Sequence, residues 1–256
     1  MGLLDKERLN KLRQKQETTF VPIFFHRPLA ILMLIPTADI PWVTPNRLTT
    51  LNILMRLVAA ALIWPQALGG MADTTASLWA CAILWNVGGA VDAMDGALAR
   101  YRGCGSNFGR FYDKVSDRLV TLVMMMAVSA RAFYATDDVL YVLLAMAYVA
   151  VMSATSVAKW IELGTQPGGD KAQDPHEHSA PERGVGDWIA YVVRKLPTAL
   201  FVSEMDLPLW GAIAVLGGWE HHLILYLTAT SVPYGLFAIA RRALRVYRDV
   251  APTAGD

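Results

Sequence analysis

The sequence predicts an all-α fold, a polytopic membrane helical bundle, and two observations lead to this prediction. Of the 256 residues, 54% are hydrophobic and 18% are charged, and the mean hydropathy is +0.34. The charged residues also cluster between apolar stretches instead of spreading along the chain. This combination is typical of a helical membrane protein and not of a soluble domain. The net charge of +1 gives no indication of nucleic-acid binding.

Six apolar stretches are each close to the ~20 residues that a helix needs to cross a bilayer. We place these transmembrane helices at about 48–68, 76–95, 109–132, 139–161, within 198–218, and at 222–243. The whole chain, 1–256, is predicted to be a single membrane-embedded domain. Its N-terminal segment, 1–43, is expected to stay on the cytoplasmic side or in the membrane interface.

The N-terminal segment has two apolar parts that are unsuited to crossing. Residues 3–16 mix leucines with charges, which predicts an interfacial amphipathic helix. Residues 20–42 are apolar but interrupted by prolines, which break helices. For this second part we expect either a segment lying at the interface or a short helix packed against the bundle.

The basic residues predict the orientation of the chain in the membrane. If the N-terminus is cytoplasmic, the three outer connections contain only Arg131, and the other basic residues near the spans lie inside. We therefore expect both termini to be cytoplasmic, and the protein to be integral to the membrane. In a bacterium that membrane would be the inner, or plasma, membrane.

Four aspartates lie at the predicted cytoplasmic ends of the second and third spans. Asp92 and Asp95 are three residues apart, and Asp113 and Asp117 are four apart, so each pair shares a helix face. Carboxylates in such apolar surroundings are costly and indicate function. Two pairs on adjacent helices can converge into a set of oxygen ligands for hard divalent cations.

A structural interpretation of the aspartates is also available. They would then form ion pairs with the nearby cations, which are Arg100, Arg110, Lys114 and Arg118. Ion pairs alone, however, do not require the glycines and the alanine that accompany the aspartates at fixed spacing. Gly88 and Gly89, one turn before Asp92, are interpreted as positions of tight helix packing.

The pattern D-x-x-D-G-x-x-A-R-x8-G-x-x-x-D-x-x-x-D resembles the signature of the CDP-alcohol phosphotransferases, also called CDP-alcohol phosphatidyltransferases. Its defining positions are Asp92, Asp95, Gly96, Ala99, Arg100, Gly109, Asp113 and Asp117. The run Thr44-Pro45-Asn46-Arg47-Leu48-Thr49 is similar to the start of the first helix in that family.

The resemblance implies a homodimeric enzyme of phospholipid biosynthesis. Such an enzyme transfers a substituted phosphate from a CDP-alcohol, either CDP-diacylglycerol or a CDP-linked head group, to a hydroxyl acceptor and releases CMP. Its cofactors would be two divalent ions, Mg²⁺ or Mn²⁺, which can clamp a pyrophosphate and stabilise the charge that builds up during attack.

The resemblance also implies roles for individual residues. The metal ligands would be Asp92, Asp95, Asp113 and Asp117, and Asp117 would in addition be the catalytic base that takes the proton of the acceptor hydroxyl. The CDP moiety would contact Gly96, Ala99, Arg100, Gly109 and Asn46. Arg100 is expected to pair with a phosphate or with an aspartate.

Acceptor recognition has weaker signals. Lys159 and Arg183, on the predicted cytoplasmic side, are candidates for binding a phosphate on the acceptor. Trp160 and Ile161 separate Lys159 from Glu162, so the basic cluster found here in some relatives is thinner. This weakens the case for a phosphorylated acceptor. Lys159 is equally well explained as a basic residue whose ammonium reaches to the interface at the end of a helix.

Two other functions are compatible with intramembrane aspartates. An intramembrane prenyltransferase also uses two aspartate-rich motifs, but it places them on well-separated helices. A non-enzymatic divalent-cation carrier could use the same carboxylates, but that function leaves Gly96, Ala99 and Gly109 unexplained.

Overall fold

The computed structural model describes residues 6–12, 20–65, 74–165, 193 and 204–250. All the regular structure of these residues is helical, which confirms the predicted all-α class. A π-helical turn, Pro22–His26, runs directly into α2. The α-helices are α1 (Lys6–Leu12), α2 (Arg27–Thr37), α3 (Pro45–Ile63), α4 (Thr75–Arg102), α5 (Asn107–Thr136), α6 (Leu140–Thr165), α7 (Leu207–Gly217) and α8 (Glu220–Val250).

Within the described residues, five helices are long and apolar enough to cross a membrane, and they support an integral membrane protein. They are α3, α4, α5 and most of α6 and α8, which correspond to the predicted first, second, third, fourth and sixth spans. The predicted fifth span is not confirmed. Its described part is α7, which has 11 residues and is too short to span alone, and residues 198–203 lie outside the described residues. The count of six therefore stays a prediction.

The helix α4 continues seven residues past the predicted end of its span at Asp95 and stops at Arg102. The residues after Asp95 include Ala97, Leu98 and Ala99, which favour helix, so nothing ends the helix where the apolar stretch ends. Gly103 then adopts a left-handed conformation with φ of 62°, and its N–H bonds back to the carbonyls of the last turn. As a result, all the predicted site residues from Asp92 to Arg100 lie on one helix.

The main core joins the spans through buried apolar side chains. Among them are Trp85 on α4, Met124 on α5, Tyr148 on α6 and Ile224 on α8. α7 packs against α4, and Gly211 of α7 lies so close to the Trp85 ring that an added Cβ would overlap it. This core fixes the positions of α4 and α5, which carry the four aspartates.

The N-terminal segment packs along α4. Ala30, Leu34 and Ala38 are fully buried in a second apolar cluster that includes Leu98 of α4. This packing agrees with the second of the two alternatives for 20–42, a short helix against the bundle. α1 is the described part of the predicted helix 3–16, and its Leu12 is buried in the same cluster. Its placement in the membrane interface remains a prediction.

Arg102 at the end of α4 holds the connection between α2 and α3. Its guanidinium donates hydrogen bonds of 2.6–2.9 Å to the carbonyl oxygens of Ala38, Ile40 and Val43. These carbonyls have no helical partners, because the chain leaves α2 and turns toward α3. Arg102 therefore fixes the chain up to Val43, the residue before the N-cap Thr44 of α3.

Candidate active site

Three of the four predicted ligands converge. Carboxylate oxygens of Asp92 and Asp95 on α4 and of Asp113 on α5 all lie within 4.8 Å of one another. Asp95 is buried, and the other two are partly buried. The helical spacing expected from the sequence thus places both halves of the motif at one point, between two neighbouring helices.

Two polar side chains of α3 orient the carboxylates of α4. The hydroxyl of Thr49 donates a 2.6 Å hydrogen bond to Asp95 Oδ2. The amide nitrogen of Asn52 donates a 2.8 Å hydrogen bond to Asp92 Oδ1. Each carboxylate keeps a second oxygen, so these bonds fix the carboxylates without using all their capacity as ligands.

Asp117 lies one turn beyond Asp113 and is joined to it through Lys114. The ammonium of Lys114 is 2.8 Å from Asp113 Oδ2 and 3.5 Å from Asp117 Oδ2. Asp117 is not one of the three residues whose oxygens meet within 4.8 Å. The ion-pair interpretation therefore holds in part: Lys114 pairs with two aspartates, whereas Arg118 contacts Glu204 and Arg110 bonds to Asn107.

The converging oxygens suit a small hard cation. Mg²⁺ and Mn²⁺ prefer carboxylate oxygens, and the three acids supply these from two rigid helices. Three carboxylates this close repel one another strongly unless a cation or protons neutralise them. The residues present therefore fit a divalent ion, with one group of three ligands among the described residues.

Two cavities meet at the carboxylates. The smaller, of about 200 Å³, is lined by Asn46, Thr49, Ser106 and Gly109 together with Asp95 and Asp113. The larger, of about 600 Å³, is lined by His26, Arg27, Arg56, Gly89 and Lys114 together with all three converging aspartates. A molecule with two arms could place one in each cavity and its centre at the carboxylates.

The predicted CDP-binding residues divide between these cavities. Gly96 and Ala99 line both. Asn46 and Gly109 line the smaller one, where a Cβ added to Gly109 would lie 3.3 Å from the side-chain oxygen of Asn46. Arg100 lines the larger one. The five residues therefore lie around the carboxylates, and their contact with a CDP moiety stays a prediction.

Of the two candidate acceptor residues, the structure describes only Lys159, and it does not bring Lys159 to this site. Lys159 is exposed on α6 and lines neither cavity. Arg183 lies outside the described residues. At the end of α6 the structure instead shows Glu162, which is bonded at 3.1 Å to Arg242 and at 3.0 Å to Arg245 of α8.

A polar stripe on α3 was not predicted from the sequence, apart from its first residue, Asn46. Asn46, Thr49, Asn52 and Arg56 recur every three or four residues, so they share one helix face. Their spacing in an otherwise apolar span is the signal that could have revealed them. Gly88 and Gly89 are packing positions, as predicted, but they pack against Arg56, Asn52 and His26 instead of against apolar side chains.

His26, from the turn before α2, is a second site residue that sequence analysis missed. The ring is buried over Gly89, and its Nε2 lies 3.4 Å from Asn86 Oδ1. Burial lowers the pKa of His26 to about 4; the hydrogen bond to Asn86 opposes this shift, and the charge of Arg56 adds to it. The imidazole is therefore neutral at physiological pH.

A comparison with protein families agrees with this geometry. No curated protein matches the chain. The family model described as CDP-alcohol phosphatidyltransferase matches residues 42–227, which include α3 and both helices that carry the aspartates. Because this match covers well over half of the chain, the protein belongs to the CDP-alcohol phosphatidyltransferase family of membrane transferases.

Proposed function

We propose that this protein transfers a substituted phosphate from a CDP-alcohol to a hydroxyl acceptor in phospholipid biosynthesis and releases CMP. One observation carries the proposal: the convergence of Asp92, Asp95 and Asp113 within 4.8 Å, at the junction of two cavities, in a chain of this family. The carboxylates would hold the reacting pyrophosphate through a cation, and the cavities would receive its two arms.

The metal site is proposed to use the four aspartates. Asp92, Asp95 and Asp113 would hold one divalent ion, Mg²⁺ or Mn²⁺, and Asp117 would complete the ligands of a second. Bound there, the ions supply positive charge that stabilises the pyrophosphate oxygens as negative charge builds up on them. Thr49 and Asn52 keep the α4 carboxylates aimed at that point through their hydrogen bonds.

The smaller cavity is proposed to receive the cytidine side of the donor. Asn46, Gly109 and the hydroxyl of Ser106 surround it, and the absence of a side chain at Gly109 leaves Asn46 free to approach a ligand. The larger cavity would then receive the alcohol side and the acceptor. Its polar wall contains Lys114 and Arg56, and it has three times the volume.

Asp117 is proposed to be the base. Its carboxylate would accept the proton of the acceptor hydroxyl, so that the oxygen can attack the phosphorus while the bond to CMP breaks. Lys114 holds Asp117 beside Asp113 and therefore beside the carboxylate cluster. The released CMP takes the electron pair of the broken P–O bond.

The orientation and the assembly are also part of the proposal. The distribution of basic residues supports a site that faces the cytoplasm, with both termini on that side. The family resemblance supports a homodimer. The bilayer itself would supply or receive the lipid substrate.

The proposed function is tested with purified protein, a panel of CDP-alcohols and a panel of hydroxyl acceptors. CMP release is measured, and mass spectrometry identifies the product. We expect one pair to give stoichiometric CMP and phosphodiester, and Asp117→Asn to abolish turnover while leaving donor binding largely intact. Near-normal turnover in Asp117→Asn would contradict the assignment of Asp117 as the base. Flux of divalent cations into vesicles without CMP release from any pair would instead favour a carrier.

A further inference from the structure

Arg56 is a cation inside a spanning helix, and no acidic side chain among the described residues is bonded to it. It is the twelfth residue of α3, about 16 Å from the start of the helix. Its Nε is buried and makes no hydrogen bond within the part of the chain that the structure describes, and no ion pair to Arg56 is found there. A guanidinium at such a position is costly unless a negative charge meets it.

The guanidinium lies beside the carboxylate cluster. A Cβ added to Gly88 would be 3.3 Å from Arg56 Cγ, so the side chain crosses α4 one turn before Asp92. Asn52, one turn earlier on α3, bonds to Asp92. Arg56 and Asp92 both line the larger cavity. A ligand that sits on the carboxylates and fills this cavity therefore meets Arg56.

The other cations that line the larger cavity already have partners: Lys114 pairs with Asp113 and Asp117, Arg110 bonds to Asn107, and Arg100 has other interactions. The amide nitrogen of Asn86 donates to the carbonyls of Ala82 and Pro208, so its oxygen faces His26 and fixes Nε2 of His26 as the donor. The Nε2–H of the imidazole is thereby bonded to Asn86, and the ring adds no charge because it is neutral at physiological pH. Arg27 also lines this cavity, but it has other interactions.

The small residues of α4 support the same assignment. Gly88 gives room to the stem of Arg56, and Gly89 gives room to the ring of His26, to which an added Cβ would come within 3.0 Å. Two consecutive glycines thus admit two polar side chains to the wall of a cavity. An apolar packing contact would not need a partly buried arginine at this point.

We propose that Arg56 binds a negatively charged oxygen of a substrate in the larger cavity and so determines which substrates the transferase accepts. This inference rests on the proposed function. A guanidinium can hold two oxygens of a phosphate or a carboxylate at once. Two sources supply that chemistry: the pyrophosphate of the donor and an anionic group on the acceptor. If the anionic group belongs to the acceptor, the acceptor is a phosphorylated or carboxylated alcohol.

The test compares Arg56→Gln and Arg56→Lys with the wild type and with a control, Arg241→Gln. Arg241 is an exposed arginine of α8 outside both cavities. KM is measured separately for the donor and for paired acceptors, such as glycerol and glycerol 3-phosphate. Binding of inorganic pyrophosphate, with and without Mg²⁺, is measured by calorimetry as a readout that needs no turnover.

Arg56→Gln is expected to weaken pyrophosphate binding, or to raise one KM, by roughly 10- to 100-fold, while the control changes little. Arg56→Lys, which keeps the charge but not the planar fork, should lose less. A rise confined to the donor KM assigns the anion to the donor. A rise confined to the KM of the phosphorylated acceptor, with glycerol unaffected, assigns it to the acceptor.

Unchanged KM values and unchanged pyrophosphate binding in Arg56→Gln would overturn the inference. If Arg56→Gln does not fold, Arg56→Lys decides it, since wild-type KM and pyrophosphate affinity in that variant would also overturn it. If the wild type releases no CMP with any pair, the proposed function fails, and the pyrophosphate measurement alone still decides the role of Arg56.

Discussion

The hydroxyl of Thr49 donates a 2.6 Å hydrogen bond to Asp95 Oδ2. Thr49 lies on α3 and Asp95 on α4, so the contact joins two spans at the carboxylate cluster. The same hydroxyl is 3.2 Å from the carbonyl oxygen of Pro45, and the carboxylate, as the charged and nearer acceptor, makes the stronger bond. The orientation of a proposed metal ligand is thus set by a helix that carries none of the four aspartates.

Thr49→Val should impair the metal site. The methyl group keeps the shape of the side chain but removes the donor to Asp95, and loss of such a supporting bond typically costs about 10- to 100-fold in metal affinity or activity. Mn²⁺ affinity, measured by electron paramagnetic resonance, checks this. Thr50→Val is the matched control, because its hydroxyl contacts Tyr112 and not an aspartate. Equal affinities in the two variants would contradict the orienting role.

Arg102→Gln should destabilise the fold. It removes the guanidinium that bonds to the carbonyls of Ala38, Ile40 and Val43, and we expect a loss of about 2 kcal/mol in the free energy of unfolding. Arg47→Gln removes an arginine with one exposed bond, to the carbonyl of Trp42, and should cost less than about 1 kcal/mol. Denaturant unfolding in detergent measures the free energy of unfolding of both variants. Similar losses in the two would contradict the role of Arg102 in holding the connection between α2 and α3.

Gly211→Ala should destabilise the contact between α7 and α4. The new Cβ would overlap the buried ring of Trp85, and overpacking of this kind costs about 1–3 kcal/mol. Gly105→Ala is the control, since a Cβ there meets nothing within 4 Å. Thermal unfolding of both variants in detergent checks the difference. A Gly211→Ala protein as stable as the wild type would place α7 differently.

The contribution of His26 to stability should depend on pH. Its folded-state pKa is lowered from 6.5 to about 4, so the unfolded chain binds the proton more readily. The contribution is therefore complete above about pH 6.5 and is lost as the pH falls toward 4, at no more than about 1.4 kcal/mol per pH unit. His26→Gln keeps a donor for Asn86 but does not titrate. The stability difference between the two proteins should move in favour of the variant from pH 7.5 to 5, and a constant difference would contradict the burial of a neutral ring.

The helices and the aspartate cluster could be predicted because local signals specify them. The length of the apolar stretches predicts the five spans that the described residues contain, and the spacing within each pair, Asp92 with Asp95 and Asp113 with Asp117, predicts that its members share a helix face. The end of α4 was placed too early, because hydropathy falls after Asp95 while helix propensity does not.

The remaining features depend on contacts between distant segments, which a pattern along the chain does not encode. Nothing near His26 indicates that it packs on Gly89, since 63 residues separate them and the contact arises from the packing of the N-terminal segment along α4. The position of Arg56 at the site likewise depends on its packing beside Gly88 and Asp92 of the neighbouring helix α4. The spacing of the polar residues on α3 is visible in the sequence, but the sequence does not show that they face the carboxylates of α4.

The most direct test of the account is CMP release by the purified protein before and after removal of divalent ions. The substrates are the CDP-alcohol and acceptor identified by the product analysis. We predict that a chelator stops CMP release in the wild type, that Mg²⁺ or Mn²⁺ restores it, and that Asp113→Asn stays inactive with either ion. Undiminished CMP release after exhaustive chelation, or in Asp113→Asn, would contradict the claim that the converging carboxylates of α4 and α5 hold a catalytic cation.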